Sequence, residues 1–540
     1  MNPRVSRLRR VVWGIAAVED CMKVYFQNSD DPFLKHTHPA TQLKCQLRPL
    51  TITSCNPVSS STPLPELAKL IYSNQIIIII TTKFMFINRT ELIHRNLAQF
   101  NYGVAVTDID GDGAFEWVIA GYGFPNTVLK WSGEGYENVT PASLADAGRQ
   151  AIGLAAADLD GDGDEELYIL NTDSFQGKKL FADRLFDRSE GEWTDLFALP
   201  AHRSVMNLTA GRSVIAVDRN GDGLYGFFVA NYGGPMRLYE LDEDGRLQDV
   251  APQVGLALTT GGRSAVSLPL LTTRMDIFVG NENGANFLFL NTGEGNFEEV
   301  AEMALLSDAG EHARGIAILD ANDDGLFDII CGNWEGRSRL FLQNFGGTFE
   351  DAAPPQMAAP SRVRTVIVAD FDNDGYEEIF FNNIGEANRL FARGQGNWVL
   401  ADAGDALEPG GLGTGAAVAD MDGDGRLELL IAHGESIMQP LTLYHTPDNG
   451  NHWLRILPLT INGAPARGAL VTLTAGGRTQ RRVIDSGSGY LCQMEPVAHF
   501  GLGGIAQIDR VEVRWPDGAV FTLNRPGADQ TIKVQHPYGF

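Results

Sequence analysis

The sequence is poor in cysteine, in basic residues and in long apolar runs. It has five cysteines in 540 residues, and only Cys45 and Cys55 form a spaced pair, so no disulfide framework is indicated. Lys and Arg number 42 against 68 Asp and Glu, a net charge of −26 that disfavours nucleic acid and anionic membrane surfaces as partners. No apolar run reaches the roughly 20 residues that a membrane-spanning helix needs, so we expect no transmembrane segment.

What the sequence has instead is one acidic loop repeated six times. The first copy runs from Asp108 to Glu116, with acidic or amide residues at positions 1, 3 and 5, glycine at 6 and a carboxylate at 9. This spacing points several oxygens inward, as a hard cation such as Ca²⁺ requires, so we expect about five to six calcium ions. The candidate metal ligands are Asp108, Asp110, Asp112, Glu116, Asp158, Asp160, Asp162, Glu166, Asp218, Asn220, Asp222, Asp320, Asn322, Asp324, Asp328, Asp370, Asp372, Asp374, Glu378, Asp420, Asp422, Asp424 and Glu428.

Two features separate these loops from other acidic turns. An EF-hand needs a glutamate at position 12 that leads into a helix, whereas position 12 here is apolar in every copy and β-forming residues follow it. Each loop is therefore predicted to join two strands. The copy from Asp218 has Gly226 at position 9, which predicts a weaker site.

The spacing of the loops predicts the architecture. The first aspartates are residues 108, 158, 218, 320, 370 and 420, and the wide gap of 102 residues contains a further unit whose position 1 is Leu268 and whose ligands are lost. Seven units of about 50 residues, each with about four short strands, are typical of radially repeated blades. We therefore predict an all-β protein with a seven-bladed β-propeller over residues 84–447 and a small separate β domain over 448–538.

The ends of the repeat array predict how the ring closes. Residues 84–101 resemble the second half of a unit without a preceding loop, and the last unit ends after Tyr444. We expect the early segment to complete the last blade, which would remove an exposed sheet edge. The ten extra residues of the second unit are predicted to form a surface excursion around residues 184–192.

Residues 1–83 differ from the rest of the chain and remain unassigned. Four early arginines followed by the apolar run from Val11 to Val18 are compatible with a secretory signal or with a disordered start. A second apolar run, Ile76 to Ile80, favours a buried strand. If the chain is secreted, the sequons at Asn88, Asn138 and Asn207 would be glycosylated.

Motifs in both halves of the chain resemble a known family. The acidic units resemble FG-GAP/VCBS repeats, and the tail resembles the ASPIC/UnbV domain through Asn451-His452-Trp453-Leu454, Gly468-Ala469, Gly487-Ser488-Gly489, His499-Phe500-Gly501-Leu502-Gly503 and Trp515-Pro516-Asp517-Gly518. The two parts in this order resemble the cartilage acidic protein 1 family over about residues 84–538. The resemblance implies a secreted, calcium-binding, seven-bladed propeller acting in the extracellular matrix or at cell surfaces.

Three functions follow from this reading. The leading hypothesis is a monomeric binding module for an extracellular protein or matrix component; the alternatives are an enzyme using the central channel and a purely structural matrix protein. No Walker A, His-Glu-x-x-His or Gly-x-Ser-x-Gly motif is present, which argues against the enzyme. His499, the best isolated base, lies in a glycine-rich context typical of a structural histidine.

Overall fold

The computed structural model describes residues 69–73, 76–80, 85–394 and 396–539. The chain forms two compact units, Met1–Thr81 and Thr82–Phe540. In the first unit the strands Lys69–Ser73 and Ile76–Ile80 pair antiparallel, so the second apolar run is a strand, whereas its burial stays a prediction. The predicted secretory signal at the start of the chain lies outside the described residues. No helix in the described ranges is long and apolar enough to cross a membrane.

The second unit contains four-stranded antiparallel arrangements that follow one another along the chain, and we number them sheets 1 to 7. Their strands, in order from the first, are Asn101–Thr107, Glu116–Gly121, Thr127–Trp131 and Tyr136–Asn138 in sheet 1; Ala151–Ala157, Glu166–Asn171, Arg184–Ser189 and Glu192–Asp195 in sheet 2; Gly211–Val217, Gly226–Pro235, Arg237–Leu241 and Leu247–Asp249 in sheet 3; Thr259–Leu268, Asp276–Asn281, Phe287–Asn291 and Phe297–Glu299 in sheet 4; Ala313–Leu319, Asp328–Asn333, Arg339–Gln343 and Phe349–Asp351 in sheet 5; Val363–Ala369, Glu378–Asn383, Arg389–Gly394 and Asn397–Ala401 in sheet 6; and Gly413–Ala419, Glu428–His433, Thr442–His445 and Ile87–Asn88 in sheet 7.

The first strands of these sheets lie next to one another in sequence order. The first strand of each sheet contacts that of the next, and the first strand of sheet 7 contacts that of sheet 1. The second strand of sheet 3 also pairs with the first strand of sheet 4. These first and second strands are almost entirely buried, because alternating small and branched apolar residues pack between neighbouring sheets.

Two sequence predictions are confirmed by the strand pairing. Ile87 and Asn88 pair with His445 and Tyr444, so the early segment supplies the outer strand of sheet 7. The unit predicted from Leu268 forms sheet 4, in which Leu268 pairs with Asp276.

The predicted surface excursion of the second unit is misplaced. Arg184–Ser189 and Glu192–Asp195 form a paired hairpin, and the extra length lies instead between Asn171 and Arg184. Buried ionic contacts hold that segment, because Lys179 forms an ion pair with Asp183, and the side chains of both are fully buried. The sequence misled here because a β-hairpin and a polar excursion share the same residue types.

Short helices connect some of the strands. They are the α-helices Ala142–Ala145 and Ala251–Val254 and the 3₁₀ helices Thr90–Leu92, Leu196–Ala198 and Gly404–Leu407.

The tail forms two sheets of its own. One contains His452–Pro458, Ala498–Gly503 and Thr531–Val534, and the other contains Leu470–Ala475, Arg478–Val483, Ile508–Arg514 and Val520–Asn524. Apolar residues of both sheets share one buried cluster. The tail therefore has a hydrophobic core of its own.

The tail is nevertheless not a separate compact unit, because one of its segments enters the repeat array. Residues 486–493, which we call the tail segment, connect its strands and bond to the first strands of several sheets. Gly489 exchanges backbone hydrogen bonds with Ile316 of sheet 5, Gln493 exchanges them with the first strand of sheet 1, and Ser486 donates to the Ser267 carbonyl of sheet 4. The tail segment thus lies among the first strands and ties the tail to the repeats.

Burial decides several smaller predictions. Cys331, on the second strand of sheet 5, is a fully buried free thiol. His499 is buried and its Nε2 lies 2.6 Å from Asn373 Oδ1, in keeping with a structural role. Asn88 and Asn138 are exposed, but Asn207 is fully buried and its amide donates to Asp183. The expectation for Asn207 is therefore wrong for the folded chain, because its amide nitrogen is enclosed.

Candidate metal centres

The acidic loops join the first and second strands of the sheets, and we number loops 1 to 7 after their sheets. In loop 1 the two carboxylate oxygens of Asp108 accept hydrogen bonds from the backbone N–H groups of Gly111 (2.6 Å) and Gly113 (2.7 Å). Gly113, at position 6, has a φ of +87°, which an L side chain adopts only under strain. Position 1 therefore closes the loop, and glycine at position 6 permits the turn.

The glutamate at position 9 begins the second strand and accepts a hydrogen bond from the loop backbone with one carboxylate oxygen. Its other carboxylate oxygen remains available for a different partner. In loop 2 the backbone N–H of Leu159 donates to Glu166 Oε2 at 2.5 Å, whereas Oε1 is buried and has no hydrogen-bond partner. In loop 6 the Oδ1 of Asp370 is likewise buried without a partner. A buried carboxylate oxygen without a donor is costly, and a bound cation would satisfy it. These loops therefore fit a metal ion.

Four of the six predicted loops assemble three or more ligand groups within 4.8 Å of one another, counted over the described residues. The groups are Asp108, Asp110 and Glu116 in loop 1; Asp158, Asp160 and Glu166 in loop 2; Asp370, Asp372 and Asp374 in loop 6; and Asp422, Asp424, Glu428 and His445 in loop 7. The loops from Asp218 and Asp320 have an amide at position 3 and do not bring three carboxylates this close.

In loops 4 and 5 the residue at position 9 is an aspartate whose two carboxylate oxygens both accept hydrogen bonds, so a cation is not required to satisfy them. In loop 4, Asp276 accepts hydrogen bonds on both oxygens, from the backbone of Leu271, Thr272 and Asn291. In loop 5, Asp328 likewise receives the backbone N–H groups of Ala321 and Gln343, each at 2.8 Å. Backbone N–H groups of the loop and of the third strand thus satisfy the shorter aspartate, whereas glutamate leaves one oxygen for another partner.

Burial and mutual repulsion disfavour ionisation in these loops. Burial, followed by the neighbouring carboxylates, raises the pKa of Glu166 to about 10 and that of Asp158 to about 7. Burial raises the pKa of Asp370 to about 8, even though Arg482 opposes this shift. A divalent cation would reverse the balance, because it pairs with the ionised carboxylates.

One position on the third strand sets the charge that faces each loop. It directly follows the last residue of the third strand that pairs with the second strand. In sheet 1 that last paired residue is Leu129, which pairs with Trp117. In sheets 1 to 7 this position is occupied by Lys130, Asp187, Glu240, Leu290, Leu342, Ala392 and His445. The loop motif did not reveal these residues, because they lie 14 to 21 positions beyond its ninth residue; only the strand register identifies them.

This position gives loops 1, 2 and 7 different properties. In loop 1 the Lys130 ammonium lies 2.6 Å from Asp110, 2.7 Å from Asp112 and 3.0 Å from Glu116. In loop 7 the Nε2 of His445 contacts Glu428. Loop 1 thus contains its own cation, although its sequence is the most regular of the six.

Loop 2 has the opposite charge at the same position. Asp187 adds a carboxylate there, and burial and then the carboxylates of Asp160 and Asp162 raise its pKa. Its Oδ1 is buried without a hydrogen-bond partner. Loop 2 therefore has an additional carboxylate where loop 1 has an ammonium group, and the basic residue of the same strand, Arg188, pairs with Asp164 at 2.6 Å.

Known family models match both the repeats and the tail. The FG-GAP-like repeat family matches residues 100–169, 273–331, 320–381 and 374–431, and the ASPIC and UnbV family matches residues 460–539. Among solved structures, the chain is similar to YCF48 bound to D1 peptide (12% identity, 72% of this chain and 100% of that chain, TM-score 0.42). It is also similar to BBS1N in complex with ARL6DN (10% identity, 68% and 99%, TM-score 0.42).

Two relatives are much more similar in sequence than these solved structures. Cartilage acidic protein 1 of Xenopus tropicalis is 47% identical over 466 residues, covering 79% of this chain and 72% of that protein. Cartilage acidic protein 1 of Homo sapiens is also 47% identical, over 79% of this chain and 71% of that protein. With both the repeats and the tail matched in the same order, the chain belongs to the cartilage acidic protein 1 family.

Proposed function

We propose that this chain is a calcium-binding, seven-bladed β-propeller with a small C-terminal β region, and that it acts outside the cell as a protein- or matrix-binding module. The observation that carries the calcium proposal is the buried oxygen of Glu166 that no hydrogen-bond donor reaches, set among further carboxylates of loop 2.

Support for the propeller comes from the sheets. Each of sheets 1 to 7 has four antiparallel strands, and the first strands contact one another from sheet 1 round to sheet 7 and back to sheet 1. A closed array of this kind leaves no long unpaired edge, which favours a soluble propeller. We assign the blades to residues 84–447 and the C-terminal region to 448–538.

We propose that calcium binds most tightly in loops 2 and 6. Asp158, Asp160, Asp162 and Glu166 would hold it in loop 2, and Asp370, Asp372, Asp374 and Glu378 in loop 6. Loops 5 and 7 would bind it less tightly, the Asp218 loop weakest of all, and loop 1 only by displacing Lys130. The bound ion would neutralise carboxylates that otherwise repel one another and would hold each loop in one conformation.

The binding role rests on the family and on the position of the tail segment. The tail segment lies among the first strands, in the space that a channel enzyme would use for its substrate. The name of the relatives, cartilage acidic protein, points to the extracellular matrix and to no reaction. We therefore propose a secreted, monomeric protein that presents its surface to an extracellular protein or matrix component.

Calcium titration of the chelator-stripped full chain tests the metal sites. Calorimetry should show several bound ions, and Asp158→Asn should remove one of the tight ones. The matched control is Asp244→Asn, since Asp244 is exposed and lies outside the loops. Loss of the same ion in the control, or no loss in Asp158→Asn, would contradict the assignment.

The binding role needs a separate test. Wild-type protein should be retained on extracellular matrix preparations in calcium and released by EGTA, whereas Asp158→Asn should be retained less. Retention that is unchanged by chelator would separate the binding role from calcium, and absence of any retention would contradict the binding role.

A further inference from the structure

Four arginines occupy the same position in four consecutive sheets. Near its beginning each first strand has a β-bulge, where one residue is left out of the register with the second strand. The bulged residues of sheets 3 to 6 are Arg212, Arg263, Arg314 and Arg364. Because first strands of neighbouring sheets contact one another, the register brings these side chains to one end of the array.

These arginines line one cavity, which we call the arginine pocket. Its walls also include Tyr102, Tyr122, Phe175, Trp334 and Tyr490. The four arginines are all at least nine-tenths buried, with exposed fractions of 2% to 8%. The acidic loops follow the last residues of the first strands, so the arginine pocket lies at the opposite end and is independent of the calcium proposal.

The carboxylates of the arginine pocket do not balance its arginines. Glu282 pairs with both Arg263 and Arg314, and Glu435 lies 2.9 Å from Arg364. Arg212 donates to the backbone carbonyls of Ser174 and Phe175 and has no carboxylate within ion-pairing distance in the described chain. Even with Asp173 at the cavity wall, four cations face three carboxylates.

Donors remain unused in the arginine pocket. The Nε atoms of Arg212, Arg314 and Arg364 are buried and have no hydrogen-bond partner. Buried cationic donors without acceptors are costly, so an additional acceptor would be stabilising. This is a second observation, besides the charge imbalance, that points to a missing anion.

Aromatic rings hold the guanidinium groups in fixed planes. Arg263 stacks on Tyr232 with 4.5 Å between the guanidinium carbon and the ring centroid. Arg314 and Arg364 lie over Trp334, at 5.1 Å and 5.0 Å. Stacking leaves the N–H edges available, and a planar guanidinium held in this way suits an oxyanion with several acceptor oxygens.

The tail segment supplies an internal probe of the potential. The phenol of Tyr490 is fully buried, and burial alone would raise its pKa, yet the four arginines together lower that pKa to about 8. Burial and the neighbouring arginines also lower the pKa of Arg314 to about 10. The lowered pKa of Tyr490 agrees with the excess of arginines over carboxylates in the arginine pocket.

We propose that the arginine pocket binds a compact oxyanion: a carboxylate, phosphate or sulfate group of a ligand that enters the end of the array opposite the acidic loops. The arginines would donate to its oxygens, and the surrounding aromatic rings would contact an apolar part of the ligand. The net charge of the whole protein is strongly negative, so the overall charge would repel an anion. Binding of an anion here would depend on the local arginines.

The test uses the full chain and three probes, sodium sulfate, sodium phosphate and sodium acetate, each against sodium chloride at equal ionic strength. We expect saturable calorimetric binding of at least one probe in the millimolar range or tighter, and the preferred probe distinguishes sulfate, phosphate and carboxylate ligands. Arg212→Gln and Arg364→Gln should each weaken it at least tenfold. Arg510→Gln, on the exposed surface of the tail, is the matched control and should change nothing.

Tyrosinate absorbance near 295 nm gives a readout that a structural defect would not mimic. Bound oxyanion should raise the apparent pKa of the most acidic tyrosine, and Tyr490→Phe should abolish that phase. The charged and titratable groups around this phenol are Arg212, Arg263, Arg314, Arg364, Glu282, Glu435, Asp173, Tyr102, Tyr122 and Tyr232. Melting curves in each probe would show that the variants are folded and that anions stabilise the wild type more than the two arginine variants. No saturable binding of any probe by folded wild type, or equal binding by the arginine variants, would overturn the proposal.

Discussion

Substitution at one buried ion pair tests whether the tail and the repeats fold as one unit. Arg467 of the tail is fully buried, and its Nε and Nη2 donate to the two oxygens of Glu165, beside loop 2, at 2.6 Å and 3.1 Å. The same guanidinium donates to the backbone carbonyls of Val106, in sheet 1, and Asp485. The pair therefore joins the tail to two of the sheets.

Removing one partner leaves the other charge buried without compensation. Breaking such a pair costs about 3–5 kcal/mol, whereas replacing both partners by apolar groups of similar volume is often nearly neutral. We expect Arg467→Met and Glu165→Leu each to lower the free energy of unfolding by about 3–5 kcal/mol. The double variant should recover much of that loss, because no unpaired charge remains.

Urea denaturation in saturating calcium, followed by circular dichroism and tryptophan fluorescence, measures these changes. Arg510→Met is the control, since Arg510 lies on the exposed face of a tail strand. The wild type should unfold with the two probes coincident, and the double-mutant cycle should show strong coupling. Single substitutions costing less than about 1 kcal/mol, or strictly additive effects, would refute the buried pair as a link between tail and repeats.

Three further predictions follow from the loops and from the closing strand. Lys130→Met should strengthen calcium binding in loop 1 at least tenfold, as measured by calorimetry. The control Lys178→Met, at an exposed lysine, should leave the affinity unchanged. Equal calcium affinities of Lys130→Met and the wild type would show that Lys130 does not compete with the ion. Burial raises the pKa of Glu166 to about 10, above its unfolded value, so the calcium-free fold binds that proton more tightly than the unfolded chain does. Its melting temperature should therefore fall as pH rises from about 5 to about 8, calcium should suppress the fall, and a calcium-free melting temperature that rises over this range would contradict the assignment. Deletion of residues 1–81 should leave a folded protein, whereas deletion of 1–100 should remove the outer strand of sheet 7 and destabilise the array; equal melting temperatures would argue against closure by Ile87–Asn88.

The repeats were predictable because their signals are local. A loop with aspartate at position 1 and glycine at position 6 specifies its own turn, and the constant spacing of about 50 residues then places every sheet. The degenerate unit from Leu268 was found in the same way, from the likeness of its second strand to that of the next unit. Closure by Ile87 followed from counting strands, since the last unit lacked its fourth.

The contacts that modify each loop were not predictable, because they depend on register and on distant segments. Lys130 and Asp187 face loops 1 and 2 from the third strand, and no loop motif includes that strand. The tail segment reaches the first strands across large sequence separations, from 173 residues between Gly489 and Ile316 to 389 between Gln493 and Val104, so the sequence predicted a separate domain in its place. The sequence analysis also missed the bulged arginines, because a β-bulge can be recognised only from the register between two paired strands.

The central claim is that the acidic loops are calcium sites on which the fold depends. Each site that binds calcium in the folded chain alone would add about 2.7 kcal/mol at a hundredfold excess over its dissociation constant, against a typical total stability of about 5–15 kcal/mol. The most direct measurement is native mass spectrometry of chelator-stripped protein titrated with calcium, with melting temperatures recorded on the same samples. We predict at least four bound ions and a large, calcium-reversible rise in melting temperature that magnesium reproduces poorly. Two or fewer ions, or a melting temperature indifferent to calcium in protein shown to be metal-free, would contradict the account.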